Sequence, residues 1–475
     1  MVFLDKRQLG DDYWENVVKM DSIFRVNENF DILRKVLRIG KDELTFYFID
    51  GFIKDAVMQK MMMHFLSLEG LPASAHAAAD FVDGNVPYVE SDAVEDVDQM
   101  VQMMLSGAAL VLGSTFGRFG VVIDARTYPA RETQEPQDDR VMRGSRDGFV
   151  ETLIFNTALV RRRVRDTSLT MKYLSVGSVS RTDVVLCYME GRADAAYVKR
   201  LYGKLTSLKT ESLTMGTQSL MECLIGGNWY NPFPKVRTTE RPDAAVAQLL
   251  EGSILVIVDN SPQVMVLPAS IFDFLQETND FYFPPLTGTY MRLVRHVVFW
   301  LTLFLTPLWY LLVKNPAIVP DWLTFILPEG EVRVPLIAQL FLVEFLIDGL
   351  RLASMNTPDM LSNSLSVVSG LILGDFAVQI GWLSPEVILY MAFVAIANFT
   401  QRNYELGYAF KFLRMLLLLL TALFNYWGFG IGVVLTLLLI ACNKTVNGKR
   451  NYLYPLIPFS GRALFKMFIR VRKED

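Results

Sequence analysis

Three ionisable residues, Glu344, Asp348 and Arg351, lie in a run that is otherwise apolar enough to enter a lipid bilayer, residues 335–353, PLIAQLFLVEFLIDGLRLA. Their spacing of four and then three residues puts all three side chains on one face of a helix whose other faces carry Leu, Ile, Val and Phe. An ionised group at the bilayer centre costs about 2.5–3.5 kcal/mol on insertion scales, so such groups face protein or a water-filled path. The chemistry this suggests is a polar seam in a membrane helix, with Glu344, Asp348 and Arg351 turned toward a protein interior or a water-filled path. The same spacing also suits a purely structural use, in which Asp348 and Arg351 neutralise each other near the interface and fix helix packing. In the next apolar run, 365–382, Asp375 and Gln379 share a helical face and are expected to look inward with Glu344.

The elements that would hold this seam lie in the second part of the chain. Of the 475 residues 52% are hydrophobic, above ordinary soluble composition, and the excess falls after Arg292. Residues 297–313 make one span, tolerating Pro307, with Trp300, Trp309 and Tyr310 as interfacial anchors. Gly370 and Gly374 have the spacing that lets helices approach closely. Residues 387–399 are short and apolar, and 401–411 read as a polar connection. The run 415–442 would measure about 42 Å as one helix, against a hydrocarbon core of about 30 Å. Gly428, Gly430 and Gly432 at its middle therefore predict a hinged pair of short segments. Lys and Arg are dense after Cys442, which with an even number of crossings places both termini in the cytoplasm. Within this tail Leu464, Phe465, Phe468 and Ile469 interleave with Arg462, Lys466 and Arg470 as in an interfacial amphipathic helix, so membrane lipid is an expected partner.

Residues 1–290 read as α/β with an internal repeat. The strand 43–51, ELTFYFIDG, and its following helix recur as 183–191, DVVLCYMEG, and a helix; 105–112 with 120–125 recurs as 250–257 with 263–267. Two related cytoplasmic α/β subdomains, 1–140 and 141–290, are expected, followed by a polytopic helical transmembrane domain, 291–442, and a basic cytoplasmic tail, 443–475. A helix capped by Ser145 is expected to carry Arg161, Arg162, Arg163 and Arg165 near its C-terminal end, where they complement the helix dipole or meet an anionic partner. The proline-rich segment 231–243 is expected to be a fixed extended loop leading into a helix near Ala244, with Arg237, Glu240, Arg241 and Asp243 as an ion-pair network.

Other chemistries are poorly served. The only histidines are His64, His76 and His296, none at metal-ligand spacing, and no P-loop or nucleophile elbow occurs. Cys187, Cys223 and Cys442 are too far apart for a zinc module. The glycines at 428, 430 and 432 sit in an apolar run with no preceding strand, which argues against a dinucleotide site. No metal, cofactor or enzymatic activity is expected. A net charge of −4 and the lack of an aromatic, basic groove argue against nucleic acid.

Arg143-Gly144-Ser145-Arg146-Asp147-Gly148-Phe149, the Arg161–Arg163 triplet, Thr239-Glu240-Arg241-Pro242-Asp243 and the Ser384-Pro385-Glu386 turn together resemble the A subunits of GerA-type spore germination receptors. The resemblance covers nearly the whole chain. It implies a protein of the spore's inner membrane, a homo-oligomeric ring of five copies and an ion channel that releases cations during germination; in such a ring Glu344 and Asp348 would line the pore as an acidic ring that attracts cations, and Arg351 could tune it. It also implies other membrane germination proteins as partners, a transporter-like B subunit and a lipoprotein C subunit. Roles in assembly or gating are implied for Arg143, Arg146, Glu151, Arg161, Arg162, Arg163, Arg237, Glu240, Arg241 and Asp243. Ser145 stands where receptor A subunits often have proline, and Gln401-Arg402 replaces a threonine-proline pair, which favours an accessory or amplifying channel over a primary receptor. A non-conducting scaffold for germination proteins is the alternative expectation. A secondary transporter would rest on the glycine hinge alone.

Overall fold

Apolar and basic residues mix in ILRKVLRI, a composition suited to the outer strand of a sheet, where charged side chains discourage further pairing. The computed structural model describes residues 8–127, 144–226, 230–328, 333–356, 376–401 and 403–470. The chain forms two compact units, Met1–Gly226 with Val236–Pro268, and Gly227–Lys235 with Ala269–Asp475.

In the first unit α1 (Tyr13–Phe24) precedes the hairpin β1 (Ile32–Ile39) and β2 (Asp42–Ile49). Then come α2 (Asp55–Leu66), α3 (Ala77–Asn85), β3 (Ser91–Val94), α4 (Val97–Leu105), β4 (Ala109–Gly113) and β5 (Gly120–Ile123). The same order recurs as α5 (Leu153–Arg163), β6 (Leu169–Val176), β7 (Thr182–Met189), α6 (Ala195–Thr206), α7 (Thr217–Ile225), β8 (Arg237–Thr239), α8 (Pro242–Leu250), β9 (Ile254–Val258) and β10 (Val264–Leu267). Each copy builds a five-stranded antiparallel sheet, ordered β1-β2-β4-β5-β3 and β6-β7-β9-β10-β8. Ile32 faces Ile49 across the first hairpin and Leu169 faces Met189 across its counterpart. The repeat is therefore longer than the apolar strands alone suggest, since it takes in β1, β3, β6 and β8. The middle strands β4 and β9, ALVLG and ILVIV, are buried at every position. Around the first sheet, one core joins α1 and α4 to Tyr47, Leu110 and Val122. The other joins α2 and α3 to Phe46, Val111 and Val121 on the opposite face.

Helix α5 starts at Leu153, not at Ser145, and residues 144–152 run outside regular helix. Asn156 accounts for the delayed start: its side-chain amide donates to the Val150 carbonyl and accepts from the Val150 N–H, which ties down the chain just ahead of the first turn. Ala158 of α5 packs in the core of the first sheet, while Leu153, Leu159 and Val160 pack in that of the second. This helix is the joint between the two copies. The segment 231–243 likewise departs from a loop: residues 237–239 are β8, paired antiparallel with β10, and α8 begins at Pro242.

The second unit contains α9 (Asn279–Tyr282), α10 (Pro285–Lys314), α11 (Leu336–Asn356), a single turn at Ala377–Gln379, α12 (Pro385–Phe399), α13 (Tyr404–Ala441) and α14 (Gly461–Phe468). Helices α10 and α13 are long and apolar enough to cross a membrane. The segment 401–411, expected as a polar connection, is helical from Tyr404, where Asn403 caps it by accepting the Leu406 N–H. Helix α13 breaks at Asn425, whose φ of 54° and ψ of −125° are not helical. The second half then folds back, so that a Cβ on Gly428 would lie 1.8 Å from the Leu420 carbonyl oxygen and one on Gly432 2.4 Å from Leu417 Cδ1. The hinged pair of segments is present, but Asn425 makes the bend. Gly428 and Gly432 permit the close approach, and Gly430 faces open space. Asn315 and Asn425 pair through both side-chain amides, at 2.7 and 2.9 Å, and Lys314 Nζ donates to the Ala422 carbonyl at 2.7 Å.

Candidate functional site: a charged seam between apolar helices

Helix α11 presents Glu344, Asp348 and Arg351, and α13 answers with Lys411 and Arg414 one turn apart. Arg414 Nη2 donates to Glu344 Oε1, and its Nη1 donates to the Thr302 carbonyl of α10 at 2.7 Å. Lys411 Nζ donates to Asp348 Oδ2 and lies 3.8 Å from Glu344 Oε1. Glu344, Lys411 and Arg414 are all buried, Arg414 to 1% exposure. Ion pairs this dry hold only when each charge has its partner, and removing one partner typically costs about 3–5 kcal/mol. The pairs thus lock α11 to α13, with α10 bound in through one carbonyl.

Arg351 does not neutralise Asp348. Its guanidinium stands 5.2, 5.7 and 5.4 Å from the ring centres of Phe399, Tyr404 and Tyr408, an aromatic surround suited to cation–π contact. Among the described residues it makes no ion pair. The cavity beside Asp348, Arg351 and Asn398 measures about 10 Å³, room for a single water at most. Two carboxylates therefore meet two cations inside the chain, with Arg351 as a further positive charge. Gln379 is exposed in its short turn, so it does not look toward Glu344; the helical turn ends there and the chain reverses through Gly381, at φ 75°. Asp375, Gly370, Gly374 and Arg143 lie outside the described residues.

The motif residues of the first unit lie ahead of α5, in its last turn and around the start of α8. Arg241 is fully buried and grips Asp243 through Nε at 3.0 Å and Nη2 at 2.7 Å. It also donates to the Ser145 carbonyl at 2.8 Å. The Phe149 N–H donates to the Glu240 carbonyl and the Asn260 N–H to the Glu151 carbonyl, both at 2.8 Å. So 145–151 is laced to 240–243 within the second copy of the repeat. Arg163 pairs with Asp147, which also accepts from Ser145. Burial alone would raise the Asp147 pKa, but the Arg163 and Ser145 hydrogen bonds outweigh it and hold the carboxyl below the usual range. Arg161 is wholly buried and bidentate to Asp31, at 2.8 and 3.1 Å, so it faces the other α/β copy and not an external anion. Arg146, Glu151 and Arg162 lie at the surface, and Arg237 in β8 is half-buried.

A profile of the Bacillus/Clostridium GerA spore germination protein family matches residues 19–474. The chain belongs to the GerA family. It is 36% identical to stage V sporulation protein AF of Bacillus subtilis (strain 168) over 465 residues, 98% of this chain and 92% of that protein. It is 25% identical to spore germination protein KA of the same organism, over 94% of this chain and 82% of that one. The crystal structure of the N-terminal domain of the A subunit of the Bacillus megaterium spore germinant receptor GerK3 aligns with 55% of this chain and 97% of that domain, at 21% identity and a TM-score of 0.41. These GerA relatives are germination and sporulation proteins, not members of enzyme families.

Four residues central to this GerA chain escaped the spacing argument. Lys411 and Arg414 fall just before the apolar run that begins at 415, yet two cations three residues apart, about one helical turn, beside such a run are spaced to meet Glu344 and Asp348, also about one turn apart. Asp31 and Asn425 carry no local signal.

Proposed function

We propose that this chain is a spore-germination membrane protein that acts as one subunit of a homo-oligomeric ion channel, expected to have five copies, in the spore's inner membrane. Family membership and two helices long and apolar enough to cross a membrane support the membrane role. The observation that carries the channel reading is the charged seam inside these apolar helices, held between α11 and α13. In this reading α11 lines or gates the path, and its charges set the energy of an ion passing beside it. Release of cations on germination is the proposed activity, in company with other membrane germination proteins.

A specific observation favours a second reading, the non-conducting scaffold. Glu344 and Asp348 are each paired with a cation of the same chain, and the adjoining cavity is the size of one water.

Truncating Glu344 alone cannot separate the two, because it strands Arg414. The informative variant is the double Glu344→Leu, Arg414→Met, since replacing a buried pair by apolar residues of similar volume is often neutral for stability. Cation release from germinating spores is measured for wild type, each single variant and the double, with membrane abundance matched by immunoblot. The singles are expected to lose abundance. A double that regains abundance but still releases cations slowly supports the channel; one that regains both points to the scaffold.

A further inference from the structure

The second unit holds another cluster of cations, away from the Glu344 seam. Near the start of α10 the carboxylate of Asp280 serves two guanidinium groups. Arg295 takes both its oxygens, at 2.8 and 3.1 Å, and Glu277 as well, at 2.9 Å. Arg292 is left with the remainder. Its Nη1 donates to the Lys466 carbonyl at 3.0 Å, its Nε stands 3.5 Å from Asp280 Oδ2, beyond hydrogen-bond reach, and Nη2 has no acceptor among the described residues. The Arg292 side chain is only 5% exposed. Arg470, just after α14, reaches the same place. It donates through Nη2 to the Phe281 carbonyl, its Cδ lies 3.1 Å from where a Cβ on Gly288 would stand, and its Nη1 is buried without a partner among the described residues.

A buried donor with no acceptor costs free energy, more when it is charged, and two guanidinium groups converging on one turn of chain leave a positive surplus. An aromatic ring lies over the Arg292 guanidinium: Phe281, 53% exposed, with its ring centre 4.7 Å from the guanidinium carbon. The site sits about one helical turn before the apolar stretch 297–313, beside α14, whose Phe465 and Lys466 are exposed, as is Ile469 just after it. This is headgroup depth for a helix entering a bilayer at that point.

We propose that Arg292 and Arg470 form a binding site for the phosphate of an anionic lipid headgroup, entered by displacement of the Phe281 ring. A phosphate oxygen would take up Arg292 Nη2 and Arg470 Nη1, the donors left without an acceptor among the described residues. The inference depends on the proposed function only in placing α10 in a membrane; it does not need the chain to conduct ions.

The test uses the full chain, purified in detergent and moved into nanodiscs of phosphatidylcholine containing a minor fraction of phosphatidylglycerol. Native mass spectrometry counts retained phosphatidylglycerol, with inorganic phosphate added in a parallel arm. Wild type is expected to retain phosphatidylglycerol over phosphatidylcholine, and Arg470→Gln to weaken that retention at least about tenfold, as for loss of a charge-assisted hydrogen bond. Phe281→Ala should strengthen it by removing the ring that lies over Arg292. Arg470→Gln is the primary variant because Arg292→Gln could disturb folding, and thermal unfolding in detergent checks that each variant is folded. Equal retention of both lipids, or of phosphatidylglycerol by wild type and folded Arg470→Gln, overturns the site. Displacement of the lipid by millimolar inorganic phosphate would make it a soluble-anion site and also overturn the proposal. A chain that does not enter nanodiscs at all overturns the membrane reading instead.

Discussion

Arg161 shows how little a residue's neighbours in sequence say about its use. Its place in an arginine triplet at the end of a helix was legible, and so was the favourable helix dipole. Its partner Asp31 was not, because it comes from the other copy of the repeat and only the folded chain brings it near. Arg161→Ala is expected to destabilise the first unit by about 3–5 kcal/mol, as for other buried pairs with one member removed, seen as a lower midpoint in urea unfolding of the purified protein. Asp147 gives a prediction in pH. Its folded pKa is depressed, so ionised Asp147 contributes stability above the unfolded carboxylate value of about 3.9, and that contribution is lost as pH falls through the lower folded value. Asp147→Asn should therefore be less stable than wild type near neutral pH and converge with it in strong acid. Parallel stability curves from pH 7 to pH 2 would refute the assignment. Both residues were visible as charges in a motif, and only their partners give them a role.

At the scale of elements, the apolar runs were the most readable part of the chain and their ends the least. An apolar stretch too long for one crossing announced that α13 must break. It did not say where, because hydropathy is blind to a single residue adopting a left-handed backbone conformation. Placing the break at Asn425 gives the three glycines different fates. Gly428→Ala would drive a methyl into the Leu420 backbone and force the two arms apart, Gly432→Ala would meet the tip of the Leu417 side chain and cost less, and Gly430→Ala meets open space and should be neutral or gain up to about 1 kcal/mol in helix propensity. Thermal melting of the three variants in detergent checks this, and similar losses at all three would place the bend elsewhere. Asn425→Gly is expected to be tolerated in backbone terms and to lose the amide pair with Asn315. The missed start of α13 has a similar origin: a window that seeks uniform apolarity discards Lys411 and Arg414, whose charges are affordable only because α11 answers them.

For the whole molecule, the duplicated α/β unit was legible because each copy repeats the same apolar strand and acidic turn, while the outer strands were hidden by their charged residues. Assembly leaves no comparable trace in one chain. If the channel reading holds, the protein purified in mild detergent should have a mass near five protomers plus bound detergent by light scattering; a monomer at micromolar concentration would remove the ring on which an ion path depends. The two compact units hold a further consequence. Residues 227–235 belong with the second unit although both flanks of that segment belong to the first. There Phe233 packs on Tyr452, whose hydroxyl donates to the Pro234 carbonyl at 2.8 Å, and Asn231 donates to Asn443 at 3.0 Å. The backbone thus passes between the units at three places, so no single cut yields two complete halves. A chimera that joins the first unit of one relative to the second unit of another at 268 would carry a foreign stitch into the Tyr452 site, and compatible exchange requires moving 227–235 together with the C-terminal half.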